Sequence, residues 1–516
     1  MSLVTVQLGQ CGNQVGSTFF DELAAKIPLR EDDAVARMFF RWPTTTICSA
    51  TEQLKNLQSG CSSSSSSSFN TASRPLPFAR SVLVDLEPRV VGKLISPSRS
   101  QGYRFDARGA KWRASGAGNN WTHGYRQGRD SLSEELELLV QAEVDRCHDQ
   151  LAGFLVFFSL AGGTGSGLGS FAITVLRELY PKTPILACCV LPFRSGEVAV
   201  QSFNACLALH AVYEHADLVF PFENRRRDGK RLGAAEEARS EEFSVMNTSI
   251  VNTLLHAAML PVLAVRRLET TSDPKTAMFR ELEPRLSSVF ELSVARSRIP
   301  DMLCSLGAHP SYKLVTLRHL PVLDDHSKRR LFGRGSFSDL GGNDSWAALS
   351  KRLSHICTTK TVEDFYAPLA GERNRVLAAA VTCYGPGPRQ RPTPASQAAA
   401  EDHTPPLDEV AGIFASGLTF SPKSRILAAS GAPSLSVVQD YYNTSTPGST
   451  SSQPSLSANR VSLATNCQTP LAAFESAVHK AAGLSRARCY VHFFDEAPLA
   501  EAILGVTQIC EDYRQL

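Results

Sequence analysis

The chain has 516 residues, long enough for two or three domains with sizeable cores. Hydrophobic residues at 43% and charged residues at 20% give a globular balance, and a net charge of +3 is too small to favour nucleic acid as a partner. No apolar run nears the ~20 residues of a membrane helix, Met1–Gln10 lacks a signal-peptide pattern, and 13 cysteines without a Cys-x-x-Cys pair argue for reduced thiols rather than a disulfide frame or zinc site.

Leu3–Leu8 alternates and is β-branched, so it reads as a strand. Gly9–Gly16 (GQCGNQVG) follows, then Phe19, Phe20 and Leu23 at helical spacing. This strand, glycine turn and helix can aim helix N–H groups at phosphate, although any tight βα turn would look alike. Cys48 to about Arg80 is an insert around Ser62–Ser68 that reads as a disordered surface loop. Ser81–Leu86 is a strand that delivers Asp85 and Glu87 at its end. Two such carboxylates suit Mg²⁺, a hard ion with oxygen ligands, or are solvated loop acids. Ser115–Trp121 (SGAGNNW) is a further glycine turn, with Trp121 a packing residue, and Ser131–Cys147 is an amphipathic helix.

The strongest stretch is Phe154–Ser170, FLVFFSLAGGTGSGLGS. A buried strand leads into Gly162, Gly163, Gly165, Gly167 and Gly169, and an amphipathic helix follows. Glycines let backbone approach a ligand, unpartnered helix N–H groups point at an anion, and Thr164 and Ser166 add hydroxyls. A flexible linker would lack the flanking strand and helix. There is no Walker lysine, so backbone dipoles, hydroxyls and a metal ion must meet the phosphate charge.

Later come a strand at Pro184–Leu191, the run Gly196–Asn204, the segment Phe220–Asn224, a basic run at Arg225–Arg231 and a helix at Ser244–Leu263. Strands are expected at Lys313–Leu317, Arg375–Tyr384, Ser424–Ala429 and Arg460–Asn466, and helices at Ala472–Ala482 and Leu499–Tyr513. Low-complexity gaps fall near 386–406 and 441–456.

GQCGNQ after the first strand, VLVDLEP, GAGNNW and GGTGSG together resemble the tubulin family. The resemblance implies a three-layer α/β fold. It has a Rossmann-like GTP-binding domain over 1–243 with a serine-rich insert at about 50–78, a core helix at 244–265, an intermediate domain over 266–468 and a C-terminal helical region over 469–516. It assigns GTP or GDP to Gln10, Cys11, Gly12, Asn119, Ser159, Gly162, Gly163, Thr164 and Gly165, and Mg²⁺ to Asp85 and Glu87. Glu197 and Gln201 stand where tubulins carry acids on the sugar, so one ribose contact becomes neutral. Asn224 and Asn247 match the asparagines that read the purine, and paired amides would favour guanine.

Asp301 matches a loop acid that orients the attacking water on the nucleotide of the next subunit, unless it is a plain surface acid. The stretch Arg266–Arg298 departs from the family pattern, and no glutamate-rich run follows the last helix, so tail-directed motors would lack their handle. The GEVAVQSFN and SLAGGTGSGLGSF runs point to the delta branch. That branch implies centrioles, basal bodies, triplet microtubules and cilia or flagella, with other tubulins and centriolar components as partners. The implied places are cytoplasm, cytoskeleton, centriole or basal body, nucleus and cilium, without membrane insertion. Two further readings remain: a self-contained nucleotide hydrolase, and a non-polymerising interaction protein that keeps only the fold.

Overall fold

The structure, a computed structural model, describes residues 1–27, 29–31, 33–43, 75–97, 102–147, 150–192, 198–223, 236–259, 298–307, 309–320, 345–358, 374–386, 407–424, 435–442 and 459–516. The serine tract, Glu197, Asn224, the basic run, 266–297 and nearly all of both low-complexity gaps lie outside the described residues.

The chain opens with β1 (Ser2–Leu8) running straight into α1 (Gly9–Lys26). A short helix, α2 (Ala34–Phe39), and the small antiparallel pair β2 (Phe40–Arg41) and β3 (Phe78–Ala79) precede β4 (Ser81–Asp85), α3 (Pro88–Leu94) and β5 (Ala110–Trp112). Then come α4 (Trp121–Gln127), α5 (Ser133–Asp145), β6 (Leu151–Ser159), α6 (Gly169–Leu179), β7 (Ile185–Leu191), α7 (Gln201–His215) and β8 (Leu218–Glu223). Six strands pair in the order β5-β4-β1-β6-β7-β8, all parallel.

Both faces of this sheet are covered, which is why its strands read as unbroken apolar runs. In β6, Phe154, Val156 and Phe158 join Val4 and Val6 on one face, while Leu155 and Phe157 join Leu3 and Phe19 on the other. The Phe19 and Phe157 rings lie 5.5 Å apart. Truncating a buried phenylalanine of this kind costs about 3–5 kcal/mol. The direction of strand addition reverses between β1 and β6, so a crevice opens at their carboxyl ends, where parallel α/β sheets hold ligands.

α8 begins at Glu236 rather than Ser244, runs to Leu254 and continues through a π-type turn at Leu255–Met259. It packs along α1. α9 (Arg298–Leu306), β9 (Val315–Leu320), α10 (Trp346–Thr358), β10 (Arg375–Pro386), α11 (Leu407–Gly417), β11 (Thr419–Phe420), β12 (Leu435–Tyr442) and β13 (Arg460–Cys467) build a second sheet with its own helices. Its order is β11-β10-β13-β9, with β12 also on β10. The two sheets meet where the Val219 N–H donates to the Lys313 carbonyl at 2.8 Å.

The C-terminal pair α12 (Leu471–Arg486) and α13 (Glu496–Arg514) packs on α7, and the buried Tyr513 hydroxyl donates to Asn466 Oδ1 and accepts from the Leu314 N–H, both at 2.8 Å. One expectation fails locally. Ser424 sits in a helical turn instead of opening a strand, its hydroxyl donating to the Ser421 carbonyl at 2.6 Å, and 425–429 lies outside the described residues. Tyr490 is left-handed and Val491–Phe493 forms a 3-10 turn that joins the last two helices.

Candidate functional site

The glycine-rich stretch is not the open loop that its composition suggests. Only Leu160–Gly162 is irregular; from Gly163 the chain is helical, first as a π-type turn and then as α6. Most of its glycines serve close approach. A Cβ at Gly163 would lie 2.4 Å from the Asn120 nitrogen, one at Gly165 2.9 Å from the Ser159 carbonyl, one at Gly167 2.2 Å from the Trp121 carbonyl, and one at Gly169 2.6 Å from the Phe158 ring. Gly162 differs, since nothing lies within 4 Å of its Cβ position. Ser166 also departs from its expected role: it is fully buried and its hydroxyl donates back to the Gly162 carbonyl. Thr164 stays half-buried, and the Ser159 hydroxyl accepts from the Ala161 N–H at 3.2 Å.

The turn after β1 meets this element. Gly9 has φ +69° and its Cβ would fall 2.9 Å from the Gly165 nitrogen, while a Cβ at Gly12 would fall 2.1 Å from the Phe157 carbonyl. Gln10 is exposed and Cys11 half-buried in the first turn of α1. A thiol at a helix start is usually acidified, but burial pushes Cys11 up to about 12, so it stays neutral. No side chain caps α1 at Leu8 or the second helix at Gly163, which leaves two sets of first-turn N–H groups available to an anion. α4 is capped, because Asn120 Oδ1 accepts from the His123 N–H at 3.2 Å.

The remaining segments close the ring. Asn13, fully buried in α1, donates to the Gly9 carbonyl at 2.9 Å and the Val84 carbonyl at 3.2 Å, which holds α1 to the end of β4. Asp85 ends β4 and is 1% exposed; Oδ1 accepts from the Glu87 N–H at 3.3 Å, while Oδ2 has no hydrogen-bond partner. Burial, with the Glu87 charge adding to it, pushes its carboxyl up to about 7, against bonds from the Glu87 and Leu86 backbone that lower it. Glu87 is exposed, with Oε1 3.7 Å from the Cβ position of Gly116. Asn119 has φ +55° and follows Gly118 at +56°. Trp121 is packing, stacked on Tyr125 at 4.7 Å with its indole N–H on Ser170 Oγ at 2.9 Å.

Gly12, Asn119 and Gly163 therefore lie on turns that meet at the carboxyl ends of β1, β4, β5 and β6. Lys and Arg are absent from 9–13, 84–87, 115–120 and 159–165. Two carboxylates beside an anion site repel it unless a cation intervenes, and the unpartnered buried Asp85 Oδ2 fits a hard divalent ion. Gln201 begins α7, 8% exposed, and lines a small cleft with Leu191, Pro192, Ala473 and Lys480. Asn247 is half-buried on α8. Asp301 is exposed in the first turn of α9, which packs on β10 and ends with Gly307 against Asp217 and Leu218. That is where β8 starts, at the end of the sheet opposite the crevice.

Two buried amides were not singled out as functional residues in the sequence. Asn13 sits inside GQCGNQ, and Asn204 is a fully buried amide among Phe203, Ala205, Cys206 and Leu207. An amide inside an apolar helical run is the signal that could have found it.

The Tubulin/FtsZ family, GTPase domain, matches residues 2–227. The human tubulin delta chain is 27% identical over 332 residues, 63% of this chain and 63% of its own length. The tubulin delta chain of Canis lupus familiaris is 28% identical over 69% of this chain and 67% of its own, and that of Mus musculus 29% over 69% and 66%. The chain thus spans about two thirds of the length of these curated relatives. With the parallel sheet and this match in agreement, residues 2–227 are similar to the GTPase domain of the Tubulin/FtsZ family, and the chain as a whole is similar to delta tubulins.

Proposed function

We propose that the chain binds GTP or GDP in this crevice and works as a tubulin-like cytoskeletal subunit or assembly factor of centriolar and basal-body microtubules, in cilium or flagellum formation. One observation carries the nucleotide reading. Two uncapped helix starts and the open side of Gly162 converge beside a buried carboxylate oxygen that lacks a partner, with no basic side chain in the surrounding turns. The N–H groups of Gln10, Cys11 and Gly163, and the Asn119 amide, would hold phosphate oxygens. Asp85 and Glu87 would hold Mg²⁺, which would offset phosphate charge when bound. Gln201 and Glu197 would take the ribose hydroxyls, and Asn224 and Asn247 the guanine edge.

Asp301 would act in trans, as a carboxylate that accepts a proton from water at the nucleotide of a longitudinal neighbour. Its exposure and its place away from the crevice support that reading. Other tubulins are then the partners that complete hydrolysis, and centriolar components are the expected surroundings. The centriolar role rests on the likeness to delta tubulin chains.

Denaturing the purified full chain should release about one guanine nucleotide per chain. Its repeated absence, even after incubation with Mg²⁺ and GTP, would remove this reading. A tagged chain should mark centrioles or basal bodies, and a uniformly diffuse signal would remove that part. Nucleotide binding without any co-assembly with other tubulins would point instead to a non-polymerising regulatory protein.

A further inference from the structure

We propose that Asn204 is a positioning residue that clips the two phosphate-facing turns together and aims the Gly162 N–H at the anion. The inference rests on the nucleotide reading above and names a residue to which that reading assigns no part.

Asn204 lies in the first turns of α7 and is completely buried. Its Nδ2 donates to the Asn119 carbonyl at 2.8 Å and to the Ala161 carbonyl at 2.9 Å, and its Oδ1 accepts the Trp121 N–H at 2.9 Å. Both amide hydrogens are thus spent on carbonyls of two different turns, one following β5 and one following β6. A trans peptide holds its C=O and N–H on opposite sides. Drawing the Ala161 carbonyl toward Asn204 therefore turns the Gly162 N–H away from Asn204, at a residue whose Cβ position meets no atom within 4 Å.

The bond to Asn119 has a second consequence. Asn119 is left-handed at φ +55°, a conformation that costs a non-glycine residue about 1 kcal/mol or more and persists only when surroundings enforce it. The Asn204 bond to its carbonyl and the tight contact of Gly163 with Asn120 are that enforcement. A buried side chain from the sugar-side helix thus sets the shape of the phosphate side.

The test uses the full chain with Asn204→Asp, Asn204→Ser and Asn204→Ala. The aspartate keeps the acceptor for Trp121 but loses both donors, and the serine keeps a single donor. Affinities for GTP and GDP with Mg²⁺, and for guanosine by competition, are measured well below each variant's Tm. Losing two buried hydrogen bonds should weaken GTP and GDP by about 10- to 100-fold in Asn204→Asp and Asn204→Ala, less in Asn204→Ser, with guanosine changed by less than about 3-fold. Wild-type GTP affinity in Asn204→Asp overturns the inference, and so does an equal loss for guanosine, which marks a merely structural role. If larger changes prevent folding, Asn204→Ser alone decides by the same comparison. A wild-type chain that binds no nucleotide overturns the functional reading beneath it, whereas unchanged affinity in the variants of a wild type that binds overturns this inference alone.

Discussion

Asp85 offers the sharpest separation of stability from function. Its carboxyl is buried, Oδ2 has no partner, and burial carries it from its ordinary value of 3.8 up to about 7. The folded chain therefore holds a proton there that the unfolded chain has released. Relative to a side chain that stays neutral, this group leaves stability untouched below pH 4 and lowers it progressively as pH rises from about 4 through 7. At ~1.4 kcal/mol per pH unit, the ionised side chain costs the nucleotide-free protein on the order of 4 kcal/mol at pH 7.5. Asp85→Asn removes the charge at nearly constant volume. In EDTA without nucleotide it should raise Tm by about 5–10 °C at pH 7.5 and by little at pH 4.5. The same change should weaken Mg²⁺-dependent GTP binding at least about 10-fold, because a neutral amide is a poor ligand for a hard cation. Differential scanning fluorimetry from pH 4.5 to 8 and GTP titrations with and without Mg²⁺ read both effects. A variant destabilised at pH 7.5, or one that binds GTP with unchanged Mg²⁺ dependence, would refute the reasoning.

Gly162→Ala and Gly163→Ala should part company. The first meets no atom and should keep the wild-type Tm while losing GTP affinity about 10-fold, whereas the second drives a methyl to 2.4 Å from Asn120 nitrogen and should lower Tm by several degrees; equal melting of the two would contradict the packing account. Asp301→Asn should leave GTP binding intact yet abolish whatever turnover appears on co-assembly, measured by phosphate release, and turnover in a dilute wild-type monomer would count against action in trans. Asp106, held by Arg108 and Arg41 at about 2 against the burial that raises it, contributes stability above pH 4 that disappears as pH falls toward 2. Asp106→Ala should destabilise by about 1–3 kcal/mol, since Arg41, which is 10% exposed, loses one of its two carboxylates and keeps Glu143 at 3.1 Å; unchanged urea unfolding would exclude it. Thiol reagents at pH 7.5 should label the exposed Cys304 and Cys489 and spare Cys188, Cys189 and Cys206, which burial keeps protonated; mass spectrometry of the native protein decides.

The amino-acid sequence by itself determined the parallel sheet and the glycine-rich turns at its strand ends. Strands buried on both faces show as unbroken apolar runs, and local turn chemistry shows as glycine, so Leu3–Leu8, Ser81–Leu86 and Phe154–Phe158 could be read without knowing their neighbours. It also supplied the resemblance to the tubulin family, because GQCGNQ and GGTGSG are local strings. Only the tertiary structure decided what each glycine does. Gly163, Gly165, Gly167 and Gly169 look like loop residues, yet they lie in helix because backbone from Asn120, Ser159 and Trp121, or the Phe158 ring, occupies the space of their side chains. Likewise, nothing local marks the orphaned Asp85 oxygen, and Asn204 shows locally only as an amide in an apolar helical run. Their roles come from carbonyls and strands 40 or more residues away, and burial and hydrogen bonding between distant segments exist only once the chain has closed on itself.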